Sequence, residues 1–172
     1  MKFKFLVFLV CVFLINSCRK KIDKAILEEH QHTFTHVVSE QEVSKLRIVE
    51  YALDAKTENQ IKDWEAYFEL QNIINEVKRG DLGFLRTQEN EVNLLLINLE
   101  KNIPEAVDTP SISARILVLK TTMLKLKSLV NLDTVAKPEI LDAIKEFLMA
   151  FNNVNFQLNK KIEFDTREIN RP

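Results

Sequence analysis

Six apolar residues on one stretch of this chain constrain its fold more than any other feature. Ile112, Ile116, Leu119, Met123, Leu126 and Val130 follow one another at spacings of 4, 3, 4, 3 and 4. That is a heptad stripe, the pattern of a helix that buries one face along its whole length. Thr109 is a good N-cap for it and Pro110 suits the first helical position. A second stripe follows: Pro138 opens a helix that buries Ile140, Ile144, Phe147, Phe151, Val154 and Leu158. The chain has two glycines in 172 residues, Gly80 and Gly83, both in one turn. About 7% would be ordinary. No apolar–polar alternation is long enough to demand a strand.

The same reading extends upstream. Ser39 and Glu42 form a capping box. Behind them Val43, Leu46, Val49, Leu53, Ile61, Trp64, Phe68, Ile74 and Val77 suit one helical face, and Lys78-Arg79-Gly80 closes the run. The pattern is weakest over Asp54 to Gln60, where Thr57 and Gln60 could make a second capping box. The span 39–79 is therefore one long helix or two joined near residue 56. A further helix covers about 84–102, and its run Leu94-Leu-Leu-Ile97 is apolar on nearly every side. Such a helix is usually central, or else keeps a face for a partner. Short connections force antiparallel neighbours. The expected architecture is all-α: an up-and-down antiparallel bundle of four to five helices over 39–165, with a frayed tail over 166–172.

The first eighteen residues are of another kind. Lys2 and Lys4 precede an unbroken apolar run, Phe5 to Ile15, of eleven residues. A spanning helix needs about 20, so the run suits a signal-peptide core instead. It ends in Leu14-Ile15-Asn16-Ser17-Cys18, which resembles the lipobox of bacterial lipoproteins. Ile15 and Ser17 match that pattern well and Asn16 more loosely. The resemblance covers the signal and Cys18, and implies cleavage of residues 1–17, a diacylglycerol on the sulfur of Cys18 and an acyl chain on its new amino group. One acyl chain anchors reversibly, whereas two or three hold a protein to the bilayer in effect permanently. The alternative is an ordinary secretory signal with an incidental cysteine. No Asp follows Cys18, and an outer-membrane anchor facing the periplasm is the favoured address. The helical body loosely resembles small helical lipoproteins of the Bacteroidetes; no motif in it carries a named family's residues across.

Composition then excludes several classes. The only cysteines are Cys11 and Cys18, so a chain processed at Cys18 has no thiol left for catalysis, clusters or disulfides. Residues 18–172 hold 22 basic against 25 acidic side chains, a net charge of −3, with no nucleic-acid footprint. Residues 18–38 read as lipidated cysteine and tether; Arg19, Lys20, Lys21 and Lys24 could touch anionic head groups.

Site candidates are few. His30, His32 and His36 fall within seven residues, and His32 and His36 would share a helical face as two imidazole ligands for a metal. Thr33 stands where a zincin needs Glu, and no second Glu-x-x-His exists for a di-iron site. A heme is rejected because every histidine precedes the capping box. Asn152, Asn155 and Asn159 form a ladder on the last helix; with Arg115 and Thr122 they could line a groove for a sugar, peptide or peptidoglycan fragment, or else satisfy one another. Trp64, Tyr67 and Phe68 read as core rather than as a carbohydrate platform. Gly80 to Gly83 reads as a helix-to-helix turn, since it lacks the ending of a phosphate loop. No catalytic set is found, and no cofactor is expected beyond the lipid on Cys18. The leading function is a non-catalytic lipoprotein that binds an envelope protein or the cell wall, with Leu94, Ile97 and the loop 103–111 as contacts. The alternative is a small-ligand or metal-binding bundle that uses the histidines or the asparagine groove. Replacing Cys18→Ser should block metabolic labelling with radioactive fatty acid and release the protein from membranes; labelling that survives would sink the lipobox reading.

Overall fold

The second heptad stripe builds the longest element of the molecule, and the others are placed against it. The computed structural model describes residues 37–167. The described residues are 73% helix and contain no strand. The helices are α1 (Glu40–Ser44), α2 (Ala55–Gln60), α3 (Glu65–Lys78), α4 (Gly83–Thr87), α5 (Glu89–Lys101), α6 (Pro110–Val130) and α7 (Lys137–Asp165), with a 3-10 turn at Glu105–Val107. The all-α expectation holds. The count of four to five helices does not: seven α-helices lie among the described residues, because both long upstream spans are broken.

α6 and α7 form an antiparallel hairpin. The Thr109 hydroxyl caps α6 by accepting from the Ile112 amide, and Pro110 occupies the first turn, where its missing N–H costs nothing. All six heptad residues of α6 are buried, as are the six of α7. α7 adds Ala143, Leu148, Ala150 and Ile162 to the core, so it is covered on more than one side. At 29 residues it is ~43 Å long at 1.5 Å per residue. Lys125 pairs with Glu146 across the hairpin at 2.7 Å. α6 also meets the upstream helices: the Asn131 side-chain amide, just past its end, donates to the Leu85 carbonyl of α4, and Lys120 pairs with Glu100 of α5.

The span 39–79 is neither one helix nor two. The capping box at Ser39 and Glu42 is present, but α1 stops after five residues. Arg47 then takes a left-handed φ of 47°, which few residues other than glycine adopt. The chain runs without helical turns from there to Asp54. Asp54, not Thr57, caps α2: its carboxylate accepts from the Thr57 amide at 2.7 Å. That bond holds the Asp54 carboxyl below its usual range. α3 begins four residues beyond α2. The span 84–102 is also divided, at Gln88, whose φ of −120° and ψ of 65° end α4 and start α5.

One end of the body is fixed by charge and by a missing side chain. Glu42 accepts from the Ser39 amide and from Lys137 of α7, which hold its carboxyl at about 2 instead of 4.5. Gly80 has a φ of 82° and lies under the start of the described chain. A Cβ there would sit 2.3 Å from the Val38 carbonyl oxygen. Backbone cannot give way as a flexible side chain can, and φ > 0 strains any L residue. Gly80→Ala should therefore cost more than about 1 kcal/mol in a denaturant melt; a variant as stable as the parent would contradict this packing.

Candidate functional site

The asparagine ladder meets a part of the chain about a hundred residues away. Asn152, Asn155 and Asn159 lie on one face of α7, where spacings of three and four bring side chains into line. Against them lies the non-helical segment before α2. The Tyr51 amide donates to Asn152 Oδ1 at 2.7 Å, and Asn155 Nδ2 donates to the Tyr51 carbonyl at 2.8 Å. Asn159 Nδ2 donates to the Ala52 carbonyl at 2.8 Å, and the Asp54 amide donates to Asn159 Oδ1 at 3.1 Å. The remaining ends are also engaged. Asn152 Nδ2 donates to the Leu148 carbonyl, and Asn155 Oδ1 accepts from the Tyr67 hydroxyl at 2.7 Å.

The register shows that the held chain is extended. Seven residues of α7, from Asn152 to Asn159, rise ~10 Å. Three residues, Tyr51 to Asp54, cover the same distance, which an extended chain does at ~3.3 Å per residue. The three side-chain amides thus hold a non-helical stretch of backbone, and bind the consecutive carbonyls of Tyr51 and Ala52. They leave no end of any amide for a ligand, so the ladder is a clamp in this structure.

Tyr67 sits at the centre of the surroundings. It is fully buried, stacked between Trp64 at 5.5 Å and Phe151 at 5.8 Å, with Phe68 edge-on at 5.3 Å. Burial drives its hydroxyl pKa up, so it remains a neutral donor to Asn155. Trp64 is buried too and offers no platform to a sugar. Trp64 Nε1 and Thr57 Oγ1 are buried polar atoms with no protein partner in the described residues.

The other candidates scatter. Arg115 is exposed on α6, and Thr122, half-buried, donates to its own helix at Leu119. Neither meets the asparagines. Leu94 and Ile97 are 58% and 44% exposed, whereas Leu95 and Leu96 between them are 2% exposed. The run 94–97 is therefore not enclosed on all sides: α5 shows half of it to solvent. The loop 103–111 carries the 3-10 turn, buries Val107 against the body and contacts the last turns of α7. Open grooves of about 420 and 520 Å³ flank that end of α7, the first lined by Thr109, Gln157, Lys160 and Phe164. The cations there are already paired: Lys160 and Arg167 with Glu163, Lys161 with Asp165.

No group of three His, Cys, Asp or Glu side chains placed to hold a metal occurs among the described residues. Cys18, His30, His32 and His36 lie outside them. No described helix is long and apolar enough to cross a membrane. No protein-family model, curated protein or solved structure matches the chain.

Asn155→Ala removes the acceptor of a buried phenol and the donor to the Tyr51 carbonyl. It should destabilise the protein by about 1–3 kcal/mol in urea melts. Asn159→Ala, at the exposed end of the ladder, should cost less. Equal and negligible losses would mean that the ladder does not hold the segment.

Proposed function

We propose that the protein is a lipid-anchored, non-catalytic component of the bacterial cell envelope whose body binds another protein. The body is read as an up-and-down antiparallel bundle, tethered through residues 18–38 to acyl chains on Cys18. The outer membrane, with the body in the periplasm, is the favoured site.

The observation that carries a binding role is the exposure of Leu94 and Ile97. They lie three residues apart on α5 and so share a face. Single exposed apolar residues need no explanation, but here two large ones sit together on a helix whose other face is fully packed. Leu117, at 59% exposed on the neighbouring α6, adds to the apolar surface of these two helices. A protein partner fits that character better than a glycan, which would call for flat aromatic rings and hydrogen-bonding groups.

The position of the chain's entry adds a direction. Val38 lies beside Gly80, at the end where Glu42 meets Lys137. The loop 103–111 lies at the other end, beside Lys161. Twenty-four residues of α7 separate the two, or ~36 Å. The loop thus lies at the end of α7 opposite the start of the described chain.

The test is crosslinking and affinity capture from the native membranes, followed by identification of the captured protein. Leu94→Asp combined with Ile97→Asp should reduce capture at least tenfold. Surface changes of this kind should leave stability within about 0.5 kcal/mol. Capture unchanged by the double substitution would remove this face from the account.

A further inference from the structure

The exposed face of α5 carries a short heptad stripe of its own. Asn90, Leu94, Ile97 and Lys101 follow one another at spacings of 4, 3 and 4, and all four are exposed. Glu91 is exposed beside them. The opposite face of the same helix, Val92, Leu95, Leu96 and Leu99, is 0–2% exposed and belongs to the core. A heptad stripe on an outer face is the kind of seam on which another helix packs at a small crossing angle. Its centre is apolar and its two ends are polar, as in the core and rim of a protein interface.

The charges on the stripe select the helix that fits it. Glu91 lies three residues before Leu94 and Lys101 four residues after Ile97, so opposite charges flank the apolar pair almost symmetrically. Neither has an ion-pair partner among the described residues, whereas Glu100, next to Lys101, is taken by Lys120 of α6. Turned end for end, this face is close to its own complement. A second α5 laid antiparallel on the first sets Leu94 of one copy against Ile97 of the other. It also sets Glu91 of each copy beside Lys101 of the other, as a two-fold axis requires. Parallel pairing would bring like charges together instead. Charges of this kind fix orientation more than they add strength.

We propose that this face of α5 is the seam of an antiparallel, two-fold homodimer. The proposal rests on the reading of Leu94 and Ile97 as a protein contact, and names a second copy of this chain as the occupant. An unrelated partner would not require the charges of one helix to balance about its own apolar centre. The seam is one helix of 13 residues, ~20 Å long at 1.5 Å per residue. A contact of that size is at the small end of specific interfaces, so the dimer forms and separates reversibly.

The test is zero-length carbodiimide crosslinking of the full chain, reconstituted into phospholipid vesicles from mixed stocks of ordinary and heavy-nitrogen protein. Within one chain Glu91 and Lys101 lie ten positions apart on α5, or ~15 Å, too far for such a link. A Glu91–Lys101 crosslink should form, and it should join light copies to heavy ones. In mild detergent, analytical ultracentrifugation should show a concentration-dependent dimer. Glu91→Lys or Lys101→Glu alone should weaken it about tenfold, and the chain carrying both should recover it. Both side chains are exposed, so thermal melts of these variants should match the parent. No mixed-label crosslink, or self-association indifferent to the charge reversals, would overturn the proposal. A crosslink from Lys101 to Glu28 or Glu29 of the same chain would give the face to the chain's own upstream segment and overturn it as well. So would a chain that stays monomeric while its capture of a different protein depends on Leu94 and Ile97; that outcome would leave the binding role of the face standing.

Discussion

The hydrogen bonds from three asparagines to an extended stretch of backbone are what the rest of this body depends on. A helix spends its own N–H and carbonyl groups internally and cannot pair with a strand. A carboxamide side chain restores one donor and one acceptor at a fixed distance from the helix axis. Three of them at spacings of three and four make a short ladder whose rise matches an extended chain. Asn152, Asn155 and Asn159 supply it, and the segment at Tyr51 to Asp54 docks where another helix would otherwise lie. Asn155 also ties the ladder to the aromatic cluster through the Tyr67 hydroxyl, so clamp and core are one unit.

That arrangement has consequences at both ends. Upstream, the segment begins at Arg47, whose positive φ turns the chain out of α1. Downstream it ends at Asp54, whose carboxylate prefers to cap α2 rather than continue a helix. The exposed face of α5 is unrelated to these bonds, and is defined by which residues of an apolar run the neighbouring helices cover.

Much of this was legible in the sequence, and the illegible part has physical reasons. The stripes 112–130 and 140–158 each belong to one capped helix, so local spacing was enough to read them and their twelve buried residues. Gly80 was legible as a C-cap, though not the closeness of Val38, which comes from chain far away. The ladder was visible as three asparagines in line. Its partner was not, because it lies about a hundred positions upstream and pairs through backbone, which has no sequence signature. The stretch 45–54 read as helix since Leu46, Val49 and Leu53 have helical spacing; a tertiary interaction overrode that local pattern. The break at Gln88 has no sequence signal of its own. Leu94 to Ile97 looked uniformly apolar, and spacing alone could not say which two of the four would be covered.

Native-state hydrogen exchange measured residue by residue over 47–54 tests the clamp most directly. The amides of Tyr51 and Asp54, bonded to Asn152 and Asn159, should exchange markedly more slowly than those of Val49 and Glu50, which have no partner. Uniformly fast exchange across the segment would mean that the asparagines do not hold it, and the account of this body would fail at its base.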